Sequence, residues 1–369
     1  MTETTICTPV AEFKNKVFHH PSATAVYESL QLALGNEFAP EIVILTGPTG
    51  VGKSTIVRAV GKFVLNQCQA QMAEEPDFVP VVAHRAIPPT SGNFDWKDFC
   101  IRVLSRQGEP FADRKLYVPR QLPLLPDSFS STHLERSVTN NLRRGLEEYL
   151  TRRRTKLVIL DEAHHMLMVN DPHRLECQFE TLKSLALETG TTILLSGTYD
   201  LLNILRHSGQ LTRRSQVVDF ARYDLRDKDD AKNFQRTLSH LERLLSAHVH
   251  VKLGADVDYF YRKSVGCVGI LKDWMTRCLD NAMREKAPLI DATFAQRFAL
   301  PNRGLMRILE EAVWGEEELA DVDDEELQDM LKQGLLATRE EKPDGMIRRK
   351  PGKRGPKRDP VGRADHAAK

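Results

Sequence analysis

Ile42-Val-Ile-Leu-Thr-Gly-Pro-Thr-Gly-Val-Gly-Lys-Ser54 is a short apolar run that breaks into a glycine-rich loop closed by a lysine and a hydroxyl. A helix-compatible segment follows at once, so strand, loop and helix stand in the order a phosphate-binding loop needs. Gly47, Gly50 and Gly52 let the backbone curl until successive N–H groups converge on phosphate oxygens. The positive end of the helix beginning near Lys53 adds to that attraction. Pro48, Thr49, Val51 and Thr55 complete the loop wall. Lys53 is placed to reach β- and γ-phosphates, and the Ser54 hydroxyl to ligate Mg²⁺. The stretch predicts a nucleoside triphosphate site, with ATP and Mg²⁺ as the expected ligands.

A second stretch supplies the chemistry such a site needs. Leu157-Val-Ile-Leu-Asp161-Glu162 is a buried strand ending in two acids. In a parallel sheet it brings both carboxylates to the edge where ligands bind. Asp161 is expected to hold Mg²⁺, and Glu162 to orient and deprotonate the attacking water. Ile193-Leu-Leu-Ser-Gly-Thr198 ends another strand in hydroxyls, of which Thr198, in preference to Ser196, is the candidate to sense the γ-phosphate. Arg213-Arg214 precedes the last strand, and one of the two is placed to neutralise charge on a neighbouring subunit's γ-phosphate. Gly266-Cys-Val-Gly-Ile-Leu-Lys272 opens a later helix from which Lys272 is the candidate to contact the nucleotide. His164 and His165 lack an evident third metal ligand in the sequence and read as local packing or hydrogen-bonding groups.

Around these motifs the chain alternates candidate strands (42–45, 79–83, 157–160, 192–195, 217–220) with helical periodicity (22–34, 53–67, 94–104, 137–149). This implies a parallel sheet covered on both faces. Residues 107–131, rich in Pro, Arg and Ser, read as a long surface loop. Beyond Asp227 the strand pattern stops. Phe234, Leu238, Leu241 and Leu245, then 270–283, 293–298 and 305–314, predict a small all-helical lid. The fold expected is α/β, three-layered around a parallel sheet, then the lid and a disordered basic tail. The boundaries expected are an N-terminal helical extension 1–37, core 38–224, lid 225–315, acidic helix or linker 316–344 and tail 345–369.

Of the 369 residues, 41% are hydrophobic and 28% charged, the balance of a soluble globular protein. No apolar stretch approaches the ~20 residues of a membrane span, and Met1–Val10 lacks a leader pattern. Membrane partners are excluded on this reading, and a cytoplasmic location is expected. Six cysteines without a Cys-x-x-Cys pair point to reduced, buried thiols. The net charge of +1 conceals a polarised C-terminus, with eight acids in 316–326 and seven basic residues in 348–358.

The order of Gly47–Ser54, Leu157–Glu162, the Ser-Gly-Thr strand end, Thr-Arg-Arg and the Gly-x-x-Gly-x-x-Lys helix resembles that of AAA+ ATPases. Asp161-Glu-Ala-His164, Leu-Ser-Gly-Thr198 and the compact single lid are similar to the TnsC/TniB branch of DNA transposition regulators, and to MuB. The resemblance covers roughly 15–315. It implies ATP-dependent assembly into a ring or helical filament on duplex DNA without sequence preference. It also implies partnership with transposase subunits and a target-selection protein or complex, and disassembly on hydrolysis. Basic residues in 85–97 and 102–120 and in the tail are the candidates for DNA contact. Two alternatives stay open: an ATP switch that acts on proteins without DNA, and a helicase, since Asp161–His164 also spells a helicase box.

Overall fold

Five short strands form the centre: β1 (Ile42–Thr46), β2 (Val81–Arg85), β3 (Leu157–Asp161), β4 (Thr192–Ser196) and β5 (Ser215–Asp219). All neighbours are parallel, in the order β2-β3-β4-β1-β5. The computed structural model describes residues 9–35, 39–89, 93–106, 131–168, 172–203, 214–321 and 323–337. The expected loop at 107–131 falls almost wholly outside these residues, and the basic tail entirely so.

Helices α1 (Pro9–Asn15), α2 (Pro21–Gly35), α3 (Lys53–Gln67), α4 (Gln69–Glu74), α5 (Trp96–Arg106), α6 (Ser131–Arg152) and α7 (Pro172–Thr189) occur before β4. The period-2 alternation of a strand decides which of them each residue meets. Ile42, Ile44, Val158, Leu160, Ile193 and Leu195 pack with Phe99 and Val103 of α5, Leu142 and Leu146 of α6, and Leu182 and Leu185 of α7. Val43, Leu45, Leu157, Ile159 and Leu194 face the other way, onto Val26 and Leu30 of α2 and Ile56, Val57 and Val60 of α3. The sheet is thus covered on both sides, as the apolar runs of its central strands β1, β3 and β4 require. The result is a three-layer P-loop fold of the AAA+ kind.

A third core follows, made by α8 (Lys228–Leu245), α9 (Val257–Ser264), α10 (Val268–Glu285), α11 (Ala292–Gln296) and α12 (Asn302–Leu319). Asp227 starts α8 by accepting from the Asp229 and Asp230 N–H groups at 2.7 and 3.4 Å. Trp274 sits 1% exposed at the centre, its indole N–H given to the Ala295 carbonyl at 2.8 Å. Phe13 of α1 joins this core. The region is not all-helical: β6 (His250–Val251) and β7 (Leu289–Ile290) pair in parallel. Two-residue strands are too short to show an alternation, so the sequence pattern could not reveal them.

The described residues fall into two units, divided between Leu319 and Ala320. In the second, α13 (Asp324–Ala337) carries Asp324, Glu325 and Glu326 in its first turn, where the helix dipole favours acids. No described helix is long and apolar enough to cross a membrane.

Candidate nucleotide site

The loop after β1 is shaped by close packing from two sides. Gly47 has φ 152°, and a β-carbon there would lie 2.3 Å from the Phe220 carbonyl oxygen. Gly50 has φ 80°, and a β-carbon there would meet Ile270 at 2.6 Å. Only glycine tolerates either position. The Gly50 carbonyl also accepts from the Ile270 N–H at 3.1 Å, which ties the start of α10 to the loop. Val51 and Pro48 are buried, Thr49 is exposed, and Gly52, Ser54 and Thr55 lie between.

At the start of α3 the Thr55 and Ile56 N–H groups bond back to the Gly52 carbonyl at 2.9 and 3.3 Å, and only the Lys53 and Ser54 N–H groups lack an intrahelical carbonyl. The Lys53 ammonium donates to the Gly47 and Pro48 carbonyls at 2.7 and 2.8 Å, the reach expected of a side chain curled over the loop. Burial lowers its pKa, while the charges of Glu311, Glu162 and Asp161 act to raise it. A half-buried ammonium attracts phosphate, while carboxylates at the same edge attract a cation.

Because β4 lies between β1 and β3, the Ser196-Gly197-Thr198 turn stands between the loop and the acids. The Thr46 hydroxyl donates to the Thr198 carbonyl at 3.2 Å. Thr198 Oγ1 donates to Asp200 at 3.1 Å, whereas Ser196 is fully buried and its hydroxyl has no partner among the described residues. On the far side of this turn, the Asp161 carboxylate accepts the Glu162 N–H at 3.0 Å, leaving its second oxygen for another ligand. Glu162 adopts φ 56°, a left-handed conformation that a glutamate rarely takes and that marks functional turns.

The Glu162 carboxylate lies 3.8 Å from the Arg85 guanidinium and 3.5 Å from His164 Nε2. Burial lowers the His164 pKa, with His165 acting in the same direction, so the ring is neutral near pH 7. Its Nδ1 accepts the Thr198 N–H at 3.5 Å, which assigns the proton to Nε2, facing Glu162. One histidine therefore connects the hydroxyl turn to the acid. Glu162, His164 and His165 also cluster as candidate metal ligands, with Glu162 as the third ligand that spacing did not reveal.

Arg214 stands at the opposite end of the sheet. It precedes Ser215, which pairs in register with Ile42, and its guanidinium contacts Glu41 at 3.3 Å. Five residues of strand, about 16 Å, separate it from the loop of its own subunit. Arg213 falls outside the described residues. Lys272 is engaged elsewhere: its ammonium donates to the Lys14 and Lys16 carbonyls at 2.9 and 2.7 Å, closing the C-terminal end of α1. Two residues beyond Ile270 is about 200° around a helix, so a side chain there points away from the contact that Ile270 makes. α10 thus touches the loop through Gly269 and Ile270, not through its lysine. Of the basic DNA candidates, Arg85 stands at the site and Arg102 is paired with Asp98 at 2.6 Å.

Other side chains at this edge carried little sequence signal. Asp219 ends β5 in register with Thr46 and accepts the Tyr199 hydroxyl at 3.1 Å. An acid at a strand end is the pattern that singled out Asp161, but here the apolar run before it is weaker. The buried Arg222 donates to Glu316 of α12 at 3.0 Å, a contact between distant segments that no local pattern encodes.

Residues 36–205 match the family model described as an AAA domain, a span holding the glycine-rich loop, Asp161-Glu162 and Thr198. The chain thus carries an AAA+ ATPase domain with a nucleotide-binding P-loop. No curated protein matches the sequence. Among solved structures, the ORC2 protein of Aeropyrum pernix in ADPNP–ADP complexes is similar at 14% identity, over 89% of this chain and 79% of that one, with a TM-score of 0.46. A Walker-type ATPase of Pyrococcus abyssi is similar at 17% identity over 87% and 80%, with a TM-score of 0.46. Drosophila ORC bound to DNA is similar at 12% identity over 92% and 86%, also with a TM-score of 0.46.

Proposed function

We propose that this protein is a Mg²⁺-dependent ATPase that assembles with ATP on duplex DNA and regulates transposition. In this reading it links a target-selection protein or complex to the transposase in the cytoplasm, and hydrolysis dissolves the assembly. The observation that carries the ATPase part is the convergence of Lys53, Asp161-Glu162 and Thr198 on one sheet edge, with His164 joining the last two. The transposition part is supported by the sequence resemblance of Asp161–His164, Leu195–Thr198 and the single lid.

Each residue has a distinct task. The N–H groups of the loop and of the first turn of α3 bind the β- and γ-phosphates, and Lys53 turns from the Gly47 and Pro48 carbonyls to them. Asp161 keeps one carboxylate oxygen beyond its bond to the Glu162 N–H, and Ser54 lies in the first helical turn. A carboxylate and a hydroxyl suit a hard cation, and bound Mg²⁺ supplies neutralising charge to the phosphate oxygens. Glu162 takes the proton of the attacking water, with Arg85 and the neutral His164 fixing its carboxylate. Thr198 orients that water or the γ-phosphate. Arg214 or Arg213 completes the site of a neighbouring subunit, so that assembly and hydrolysis are linked.

Glu162→Gln tests this sequence of events. It should bind ATP like the parent, lose hydrolysis by about 10²- to 10⁴-fold, and leave protein–DNA assemblies that persist after ATP addition. Sedimentation over time reads the persistence. Assemblies of the variant that dissolve as fast as the parent's would remove Glu162 from the role of base.

A further inference from the structure

The acid and the two histidines after β3 are brought together by the kind of turn that follows the strand. Ala163–Leu167 is a 3₁₀ turn, and the His165 N–H donates to the Glu162 carbonyl at 3.1 Å. With three residues per turn, side chains at i and i+3 eclipse, so His165 comes round in line with Glu162. Ala163 and Met166, 1% and 0% exposed, point into the core, while Glu162, His164 and His165 stay half-buried at the sheet edge.

One ligand atom from each of these three lies within 4.8 Å of the other two, and Glu162 Oε2 is 3.5 Å from His164 Nε2. A tetrahedral ion held at about 2.0–2.1 Å by each ligand needs them about 3.4 Å apart. The first pair already has that spacing, and the two imidazole centroids are 4.2 Å apart. His165 Nδ1 is shielded from solvent and has no hydrogen-bond partner. An orphaned polar atom is unfavourable inside a protein, and coordination would satisfy it. Arg85 opposes a cation here, but it stands 3.8 Å from the other oxygen, Oε1, and its side chain is 69% exposed and can turn to water.

Two imidazoles and one carboxylate suit Zn²⁺, whereas Mg²⁺ takes oxygen ligands in an octahedron. We propose that Glu162, His164 and His165 form an inhibitory site for Zn²⁺ or a divalent ion of the same class, separate from the Mg²⁺ position at Ser54 and Asp161. The ion binds Glu162 Oε2 and withholds the base from the attacking water. It also binds His164 Nε2, whose proton relocates to Nδ1. That nitrogen then has no lone pair for the Thr198 N–H, which it accepts at 3.5 Å when no ion is bound. The inhibition rests on Glu162 being the base of an ATPase; the ion site itself does not.

The full chain, stripped of metal with a chelator, is titrated with Co²⁺, followed by visible absorption, and with Zn²⁺ in equilibrium dialysis. A visible band of four- or five-coordinate Co²⁺, without the near-ultraviolet band of a thiolate ligand, is the expected result. His165→Gln should weaken Zn²⁺ binding about tenfold or more, since loss of mere supporting groups at metal sites costs that much. It should hydrolyse Mg²⁺-ATP like the parent and resist the low Zn²⁺ concentrations that inhibit the parent. Glu162→Gln should lose the Co²⁺ band as well, and His250→Gln, exposed on β6, should keep both band and inhibition. The band in the parent does not depend on any variant folding. A parent that shows no band or only the thiolate one, a band unchanged in His165→Gln, or parent hydrolysis unaffected or raised by saturating Zn²⁺ would overturn the proposal. A parent that shows the band but hydrolyses no ATP would instead remove the ATPase reading, and the inhibition with it, while the ion site stands.

Discussion

Glu162 spends conformational energy on its place. A left-handed φ of 56° costs an ordinary side chain of order 1–3 kcal/mol, and here the Asp161 carboxylate, which accepts the Glu162 N–H, helps to hold it. The return on that strain is direction. The carboxylate leaves the strand line and meets Arg85 and His164, which aim it toward the Thr198 turn. Asp219 shows the other use of burial. Loss of hydration raises its pKa to about 6, against the opposing hydrogen bond from Tyr199. The folded chain therefore binds this proton more tightly than the unfolded chain does. The associated stability is full below about pH 4 and is lost as the pH rises through about 6. Asp219→Asn stays neutral and still accepts the Tyr199 hydroxyl. Between about pH 4 and about pH 7.5 the parent's Tm should therefore fall relative to the variant's, by the equivalent of at most about 3 kcal/mol. A Tm difference that does not change with pH would contradict the assignment.

Among the elements, α12 decides how the third core meets the sheet edge. Gly315 against Tyr199 leaves no room for a methyl group, and both residues are buried. Gly315→Ala should cost about 1–3 kcal/mol despite its better helix propensity, and thermal unfolding should show the loss. A neutral or stabilised variant would mean that α12 does not pack here as described. The elements legible in the sequence were those whose local pattern is strong: β1 with α3, the apolar runs Leu157–Leu160 of β3 and Ile193–Leu195 of β4, and α8 and α10 with their long apolar stripes. α7 escaped because Pro172–Thr189 mixes apolar and polar residues without a clean stripe, and α9 because Val257–Ser264 is short. That Lys53, Asp161, Glu162 and Thr198 stand at one sheet edge was readable because each lies at or just beyond the end of an apolar strand run, or at the start of a helix. The positions of Arg222 and Glu316 were not readable, since they depend on contacts between segments far apart in the chain. Lys272 shows the limit of spacing: the motif located the helix that meets the loop but not the direction of the side chain.

Across the whole molecule, the placement of Arg214 has the widest consequence. At the base of β5, beside Glu41, it stands about 16 Å of strand from its own loop, a placement that fits the proposed role at a neighbouring copy's phosphate. Arg214→Ala should keep ATP binding by isolated subunits and lose hydrolysis in the assembled state by about 10³-fold or more. Equilibrium nucleotide binding and ATPase activity at rising protein concentration separate the two effects. Loss of nucleotide binding in the dilute variant would place this arginine in its own subunit's pocket instead. In the proposed function, the site made by Gly47–Ser54 and Asp161-Glu162 governs assembly on DNA. Negative-stain imaging of the full chain with duplex DNA, Mg²⁺ and a slowly hydrolysed ATP analogue decides this. Rings or filaments that need both DNA and the analogue, and vanish with ADP, are the expected result. Particles that form equally well without DNA, or with ADP in place of the analogue, would contradict it.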